Sequence, residues 1–159
     1  MLNKKIWIDG EVRAAEFLKK KGYKIIDKNC KIGGSEIDIV AVLPVKVQKN
    51  ELIEEFRYKV KHKKFSDKYE QKFSKTVLKN NLKTLKDIIV FIEVKARFSK
   101  KFGYPFEAVD EKKQYNLERG CVSYLKKNNL TDVPARIDVI SVIDADIVHI
   151  ENAFEIKIY

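Results

Sequence analysis

Histidine and cysteine are scarce in this chain: His62 and His149 are its only imidazoles, Cys30 and Cys121 its only thiols. There is no CxxC, and neither histidine has a cysteine or a second histidine close by in sequence, which argues against a zinc site. A lone cysteine pair could bridge, but two cysteines far apart in a lysine-rich chain read as free, buried thiols. The expected compartment is therefore reducing and cytoplasmic. No run approaches the ~18 consecutive apolar residues that cross a bilayer. Met1 to Gly10 also lacks the apolar stretch and small-residue cleavage site of a secretory signal. Neither a membrane protein nor a secreted one is expected.

What the chain has in excess is positive charge. Its 159 residues, enough for a single domain with a normal core, carry 33 Lys+Arg against 23 Asp+Glu, a net +10. That excess suits a polyanionic partner such as nucleic acid, although solubility alone would also account for it. Its location is more informative. Residues 45–87 hold 13 Lys+Arg and 6 Asp+Glu, a net +7, and the other 116 residues carry only +3.

Ile8, Val12, Ala15 and Leu18 recur at helical spacing and predict a helix over 8–21, with Asp9 as N-cap and Gly22 as the stop. Tyr23 to Ile32 and Glu36 to Leu43 read as strands joined at Gly33-Gly34, a hairpin. Ile88 to Arg97 is a third strand, apolar enough for the middle of a sheet. After Pro105 a helix is expected over 106–127, with Val109, Leu117, Cys121, Tyr124 and Leu125 on its apolar face. Arg136 to Ile143 is a fourth strand, and Asp144-Ala145-Asp146 turns into a short last strand near Ile147 to Ile150. The expected architecture is one α/β domain over residues 1–159, a mixed sheet flanked by helices.

Residues 45–87 interrupt that scheme as an insertion between the second and third strands. Phe65, Tyr69, Phe73 and Val77 are four apart, a helical pattern. Lys68, Lys72, Lys75, Lys79, Lys83 and Lys86 step by three or four and, at ~100° per residue, share about a quarter of the circumference. The segment reads as a helical excursion with one basic face. A solvated lysine face is the commoner meaning of such a run, and the single-sided placement weighs equally for contact with a polyanion.

The strongest local signal is Phe91-Ile92-Glu93-Val94-Lys95. Alternation along a strand puts Glu93 and Lys95 on one face and Val94 on the other, so two charges leave an otherwise buried element. Taken alone, the pair reads as a structural ion pair. In Ser35-Glu36-Ile37-Asp38-Ile39-Val40, however, Glu36 and Asp38 share a face opposite Ile37 and Ile39, and again an acid replaces a core residue. If the two strands are neighbours, Asp38, Glu93 and Lys95 converge. Two close carboxylates repel unless a cation lies between them, and hard oxygen donors suit Mg²⁺ or Mn²⁺. A metal-activated water positioned by lysine is a nucleophile suited to a phosphodiester. Glu11 and Lys113 also interrupt the inward stripes of their helices. Either could snorkel outward. If both point inward, Glu11 is a third acid near the metal and Lys113 a phosphate contact.

An ordered series through the chain carries a resemblance. It runs through Gly10-Glu11 with Ala14, Gly22-Tyr23, Asn29, Glu36-Ile37-Asp38, Phe91 to Lys95 with Arg97, Phe102-Gly103 and Ala108-Val109. Lys113, Tyr124-Leu125, Arg136-Ile137-Asp138-Val139 and His149 to Phe154 complete it. In these residues the sequence resembles the PD-(D/E)XK nuclease superfamily, most closely the YraN-like family of uncharacterised, predicted endonucleases. The resemblance implies a restriction-endonuclease-like fold, with Asp38 and Glu93 as metal ligands and Lys95 as the catalytic lysine. Glu11 matches the helical glutamate of Holliday-junction-resolvase-like members. Ser35 departs from the family's usual Gly, and residues 45–87 replace a short connection.

The expected activity is that of a Mg²⁺- or Mn²⁺-dependent endonuclease hydrolysing DNA phosphodiesters, including structured or branched DNA. Lys113, Arg97, Lys68, Lys72, Lys75 and Lys79 are the expected nucleic-acid contacts. DNA is favoured over RNA, and cutting two symmetric strands of a junction would call for a homodimer. The alternatives are a nucleic-acid-binding protein that keeps the nuclease fold without useful catalysis, and an assembly protein that docks through residues 45–87.

Overall fold

The computed structural model describes residues 2–61, 85–97 and 110–156. In chain order the elements are α1 (Leu2–Lys20), β1 (Lys24–Ile32), β2 (Ser35–Leu43), α2 (Val45–Lys61), β3 (Ile88–Arg97), α3 (Glu111–Lys127), β4 (Ala135–Ile143) and β5 (Asp146–Phe154). The five strands form one sheet in the order β1-β2-β3-β4-β5. Every neighbouring pair is antiparallel except β3 and β4, which are parallel. A parallel pair needs a crossover, and the connection from β3 to β4 contains α3. The sheet is therefore mixed, as expected, and the α/β fold is compatible with the restriction-endonuclease-like class.

β3 lies at the centre because almost nothing in it needs water: Val90, Phe91, Ile92 and Val94 are fully buried. Its two faces meet different helices. Val90, Ile92, Val94 and Ala96 pack in one core with Ala14, Ala15 and Leu18 of α1, while Ile89 and Phe91 pack in the other with Leu117, Cys121, Tyr124 and Leu125 of α3. α1 comes very close to the sheet at Gly10, where an added Cβ would lie 2.5 Å from the Cβ of Ala96. The β1–β2 turn is the expected two-residue one. Ile32 pairs with Ser35, and Gly33 and Gly34 take φ of 59° and 75°, positive at both turn positions as a primed turn requires.

Three element boundaries differ from expectation by more than one residue. α1 begins at Leu2, so Asp9 lies inside the helix instead of capping it. Periodicity reads only the stretch that packs on the sheet, whereas helix-compatible residues extend the element beyond it. Its end is as expected. Gly22, at φ 89°, donates to Lys19 O and Tyr23 donates to Leu18 O, the paired bonds of a Schellman stop. α3 begins at Glu111 and not near 106. Asp110 has an extended backbone, and its carboxylate accepts the amide of Lys113, so it is an N-cap. β5 runs to Phe154, past the expected end at Ile150.

Of residues 45–87, the described part contains α2. Asp87 accepts the amide of Val45 at 2.8 Å, and Gln48 Nε2 donates to Leu43 O and Lys86 O at 3.2 and 2.8 Å. The excursion is thus tied at its base, beside the Leu43–Ile88 pair. The stripe Phe65, Tyr69, Phe73, Val77 and the lysines Lys68, Lys72, Lys75, Lys79 and Lys83 lie outside the described residues.

Candidate active site

The β2–β3 ladder runs from Leu43–Ile88 to Ile39–Ile92. At the next step Asp38 Oδ2 accepts the amide of Val94 at 2.7 Å, so a side chain takes the place of a backbone acceptor. The simple alternation expected in β2 also fails here. Ile39 packs in the α1-side core and Ile37 in the α3-side core, although strict alternation would put both on one face. Ile37 and Ile39 therefore do not share a face, a correction to the sequence reading. The two strands fork at Asp38, and the fork leaves room for polar groups between them.

Glu93 stands at this fork on the α3 side, with its side chain only 2% exposed. Lys95 Nζ donates to Glu93 Oε1 at 2.7 Å. Lys113, from the first turn of α3, places Nζ 3.0 Å from Glu93 Oε2. That contact is ionic without hydrogen-bond alignment, and Oε2 has no hydrogen-bond partner. The helix positions Lys113 through the Asp110 cap on its own amide. The inward reading of Lys113 is thus the one the geometry follows.

Asp38 shows how strained the pair of acids is. Burial, and then the negative charge of Glu93, push its carboxyl up to about 7 from an ordinary 3.8; the Val94 amide and Lys113 oppose the shift, and Glu11 adds to it. Glu11, half-buried in α1, is thus near enough to be felt electrostatically. Among the described residues, however, no three acidic, imidazole or thiol groups converge into a ready-made metal cluster. Asp38, Glu93, Lys95 and Lys113 come together, and Glu11 is their outlying neighbour. Arg97 closes β3, and its side chain lies outside the described set, as do Lys68, Lys72, Lys75 and Lys79.

The donor set fits a hard divalent cation. Half-buried Asp38 and buried Glu93 repel one another, Asp38 is driven towards protonation by desolvation and by the charge of Glu93, and Glu93 has an oxygen without a hydrogen bond.

A second polar cluster lies on the α1 side of the sheet, at residues to which the sequence pattern assigned no role. Asp138, fully buried, accepts from His149 Nε2 at 2.8 Å, from the amide of Asn152 at 2.8 Å and from Arg136 Nη2 at 3.1 Å, while Arg136 Nε lies 3.0 Å from its other oxygen as an ionic contact without hydrogen-bond alignment. Arg136 also donates to the Tyr23 hydroxyl and pairs with Glu151, each at 2.9 Å. His149 therefore has a close carboxylate partner in Asp138, on the neighbouring strand and eleven positions away in the chain. Burial pushes the Tyr23 hydroxyl above its ordinary range despite the lowering effect of Arg136. The Asp138–Asn152 bond spans the bulge where β4 and β5 change register, which lets β5 continue beyond Ile150. Alternation could have revealed this cluster, since Arg136-Ile137-Asp138 places two charges on one face of an apolar strand, as Glu93-Val94-Lys95 does. Both cysteines are free as expected, Cys30 half-buried and Cys121 buried.

The sequence profile of the uncharacterised protein family UPF0102 matches residues 10–76 and 76–142. The chain belongs to that family. UPF0102 is the YraN-like family that the ordered residue series resembles. A UPF0102 protein of Alkaliphilus oremlandii is 35% identical over 159 residues, covering 96% of this chain and all of the relative. One from Clostridioides difficile is 33% identical, covering 97% of this chain and all of the relative. One from Trichlorobacter lovleyi is 31% identical, covering 92% of this chain and 87% of the relative. The family match spans Glu11, Asp38, Glu93, Lys95, Lys113, Arg136 and Asp138; His149 and Glu151 lie beyond it. No described helix is long and apolar enough to cross a membrane.

Proposed function

We propose that this protein is a divalent-metal-dependent endonuclease that hydrolyses DNA phosphodiesters, with structured or branched DNA among its substrates. The observation that carries the reading is the convergence, at the β2–β3 fork, of two mutually repelling carboxylates with two lysines. Asp38 and Glu93 would hold Mg²⁺ or Mn²⁺, which would acidify a bound water and offset charge on the phosphate. Water adds to phosphorus as one P–O ester bond breaks, leaving a phosphomonoester and a hydroxyl. Lys95, fixed by Glu93 and 15% exposed, can orient the attacking water or offset charge on the phosphorane oxygens. Glu11 adds negative potential that favours cation binding. The net charge of +10 brings the polyanion to the site.

The test incubates linear, nicked, flapped and four-way DNA, and matched RNA, with Mg²⁺ or Mn²⁺. Asp38→Asn, Glu93→Gln and Lys95→Met serve as comparisons. Metal-dependent cleavage by wild type that falls by at least about a hundredfold in each variant supports the reading. Equal cleavage by wild type and variants would sink it. Binding without cleavage on every substrate would favour a nucleic-acid-binding protein on a nuclease fold.

A further inference from the structure

We infer that Lys113 is the resident cation of the carboxylate pair, holding Glu93 Oε2 until a divalent ion binds and then leaving that oxygen for a substrate phosphate. This rests on the metal-site reading above and goes beyond it by naming the group that must move.

Both oxygens of Glu93 are covered by ammonium groups, and the two contacts differ in kind. Lys95 makes a hydrogen bond to Oε1 at 2.7 Å and is 15% exposed. Lys113 lies 3.0 Å from Oε2 without hydrogen-bond alignment and is 32% exposed. Lys113 is the looser of the two and has an open path to solvent. Its backbone amide is pinned by Asp110, so the side chain can swing while α3 stays in place.

Charge balance gives the direction. With both acids ionised and both lysines in place, Asp38, Glu93, Lys95 and Lys113 sum to zero. A divalent ion added to that set would leave two positive charges in a largely buried site, offset only in part by the outlying Glu11, which is costly. Departure of Lys113 halves the excess and clears one oxygen of Glu93 of an ammonium that would repel the ion at close range. Four carbons of flexible stem let the freed ammonium stay near the fork, where an incoming phosphate would meet it. Metal and DNA would thereby favour one another's binding through a single side chain.

The experiment uses the full chain without DNA, at a pH above the titration of Asp38. Mn²⁺ is titrated calorimetrically into wild type, Lys113→Met and Lys113→Arg, and the Lys113 ammonium is followed by ¹H–¹⁵N NMR during Mg²⁺ addition to wild type. Lys113→Met should bind Mn²⁺ roughly tenfold more tightly than wild type, having no cation to displace. Lys113→Arg should bind it more weakly, because a guanidinium grips a carboxylate with two parallel bonds. The wild-type Lys113 signal should move towards that of a free lysine as Mg²⁺ saturates the site. In Ca²⁺, Lys113→Met should weaken DNA binding severalfold, and by a larger factor than it does without divalent ions. Equal Mn²⁺ affinities, an unmoved Lys113 signal at saturation, or equal loss of DNA affinity with and without Ca²⁺ would each overturn the exchange and leave the metal site standing. Failure of all three proteins to bind Mn²⁺ would overturn the metal site and the exchange together.

Discussion

Asp38 Oδ2 accepts the backbone amide of Val94 at 2.7 Å, so one carboxylate both ends a β-ladder and stands beside Glu93. The bond fixes the fork between β2 and β3. It also holds the Asp38 carboxyl where burial and Glu93 disfavour its ionisation.

Metal binding should release a proton below neutrality. The Asp38 carboxyl, raised to about 7 in the fold, keeps its proton well above its ordinary 3.8, and a cation must compete with that proton. Apparent Mn²⁺ affinity should therefore rise with pH up to about 7 and level off above it. Calorimetry in two buffers of different ionisation enthalpy should show release approaching one proton at acid pH and vanishing above neutrality. The same shift contributes stability to the metal-free protein below the unfolded value of 3.8, lost as pH rises through about 7. Asp38→Asn should remove this component of the pH dependence in urea titrations. An unchanged pH profile in Asp38→Asn would assign it to another group.

Asp138 should matter for folding more than any exposed acid. Replacing it by Ala leaves Arg136 largely buried without its main counter-ion and His149 without its hydrogen-bond partner. Removal of one member of a buried pair costs about 3–5 kcal/mol. The Asp138→Leu, Arg136→Met double variant should be less destabilised than Asp138→Ala, because it leaves no unpaired buried charge. Denaturant midpoints of the three proteins decide the matter, and equal losses would show that charge pairing is not what holds the cluster.

Gly10 should tolerate no side chain. Gly10→Ala would place its Cβ 2.5 Å from that of Ala96, backbone-borne atoms on both sides, so α1 must move off β3. Overpacking of this kind costs about 1–3 kcal/mol, outweighing alanine's helix preference over glycine of roughly 1 kcal/mol. Ala96→Gly in the same chain should restore most of the loss. If Gly10→Ala is neutral or stabilising in thermal unfolding, the close approach is not a constraint.

The basic excursion should be visible in salt dependence. Replacing Lys68, Lys72, Lys75 and Lys79 with Gln should weaken DNA binding and flatten the plot of log affinity against log salt by about 0.9 for each phosphate no longer neutralised. Fluorescence anisotropy across a salt series measures both. A slope equal to wild type would make the face a solvated one.

Elements with strong local signatures could be read directly from the residues. The Gly22 stop, the Gly33-Gly34 turn, the apolar centre of β3 and the inward stripe of α3 each follow from backbone geometry or periodicity within a few residues. Glu93 and Lys95 were legible for the same reason, as charges out of place on an apolar strand. The limits of α1 and β5 were harder to see. Helix-compatible residues extend α1 past its packed stretch, and a side chain from another strand supports the β5 bulge.

By itself, then, the sequence determined the kinds of element, the misplaced charges and the family. Tertiary structure decided which charges meet. Lys113 could have snorkelled outward, but it faces Glu93. Glu11 could have been a third member of the carboxylate pair, but it acts from outside it. His149 looked solitary and is bonded to Asp138. The physical reason is that a buried charge takes its energy from its partners. Those partners come from strands and helices distant in the chain, so no local pattern can name them.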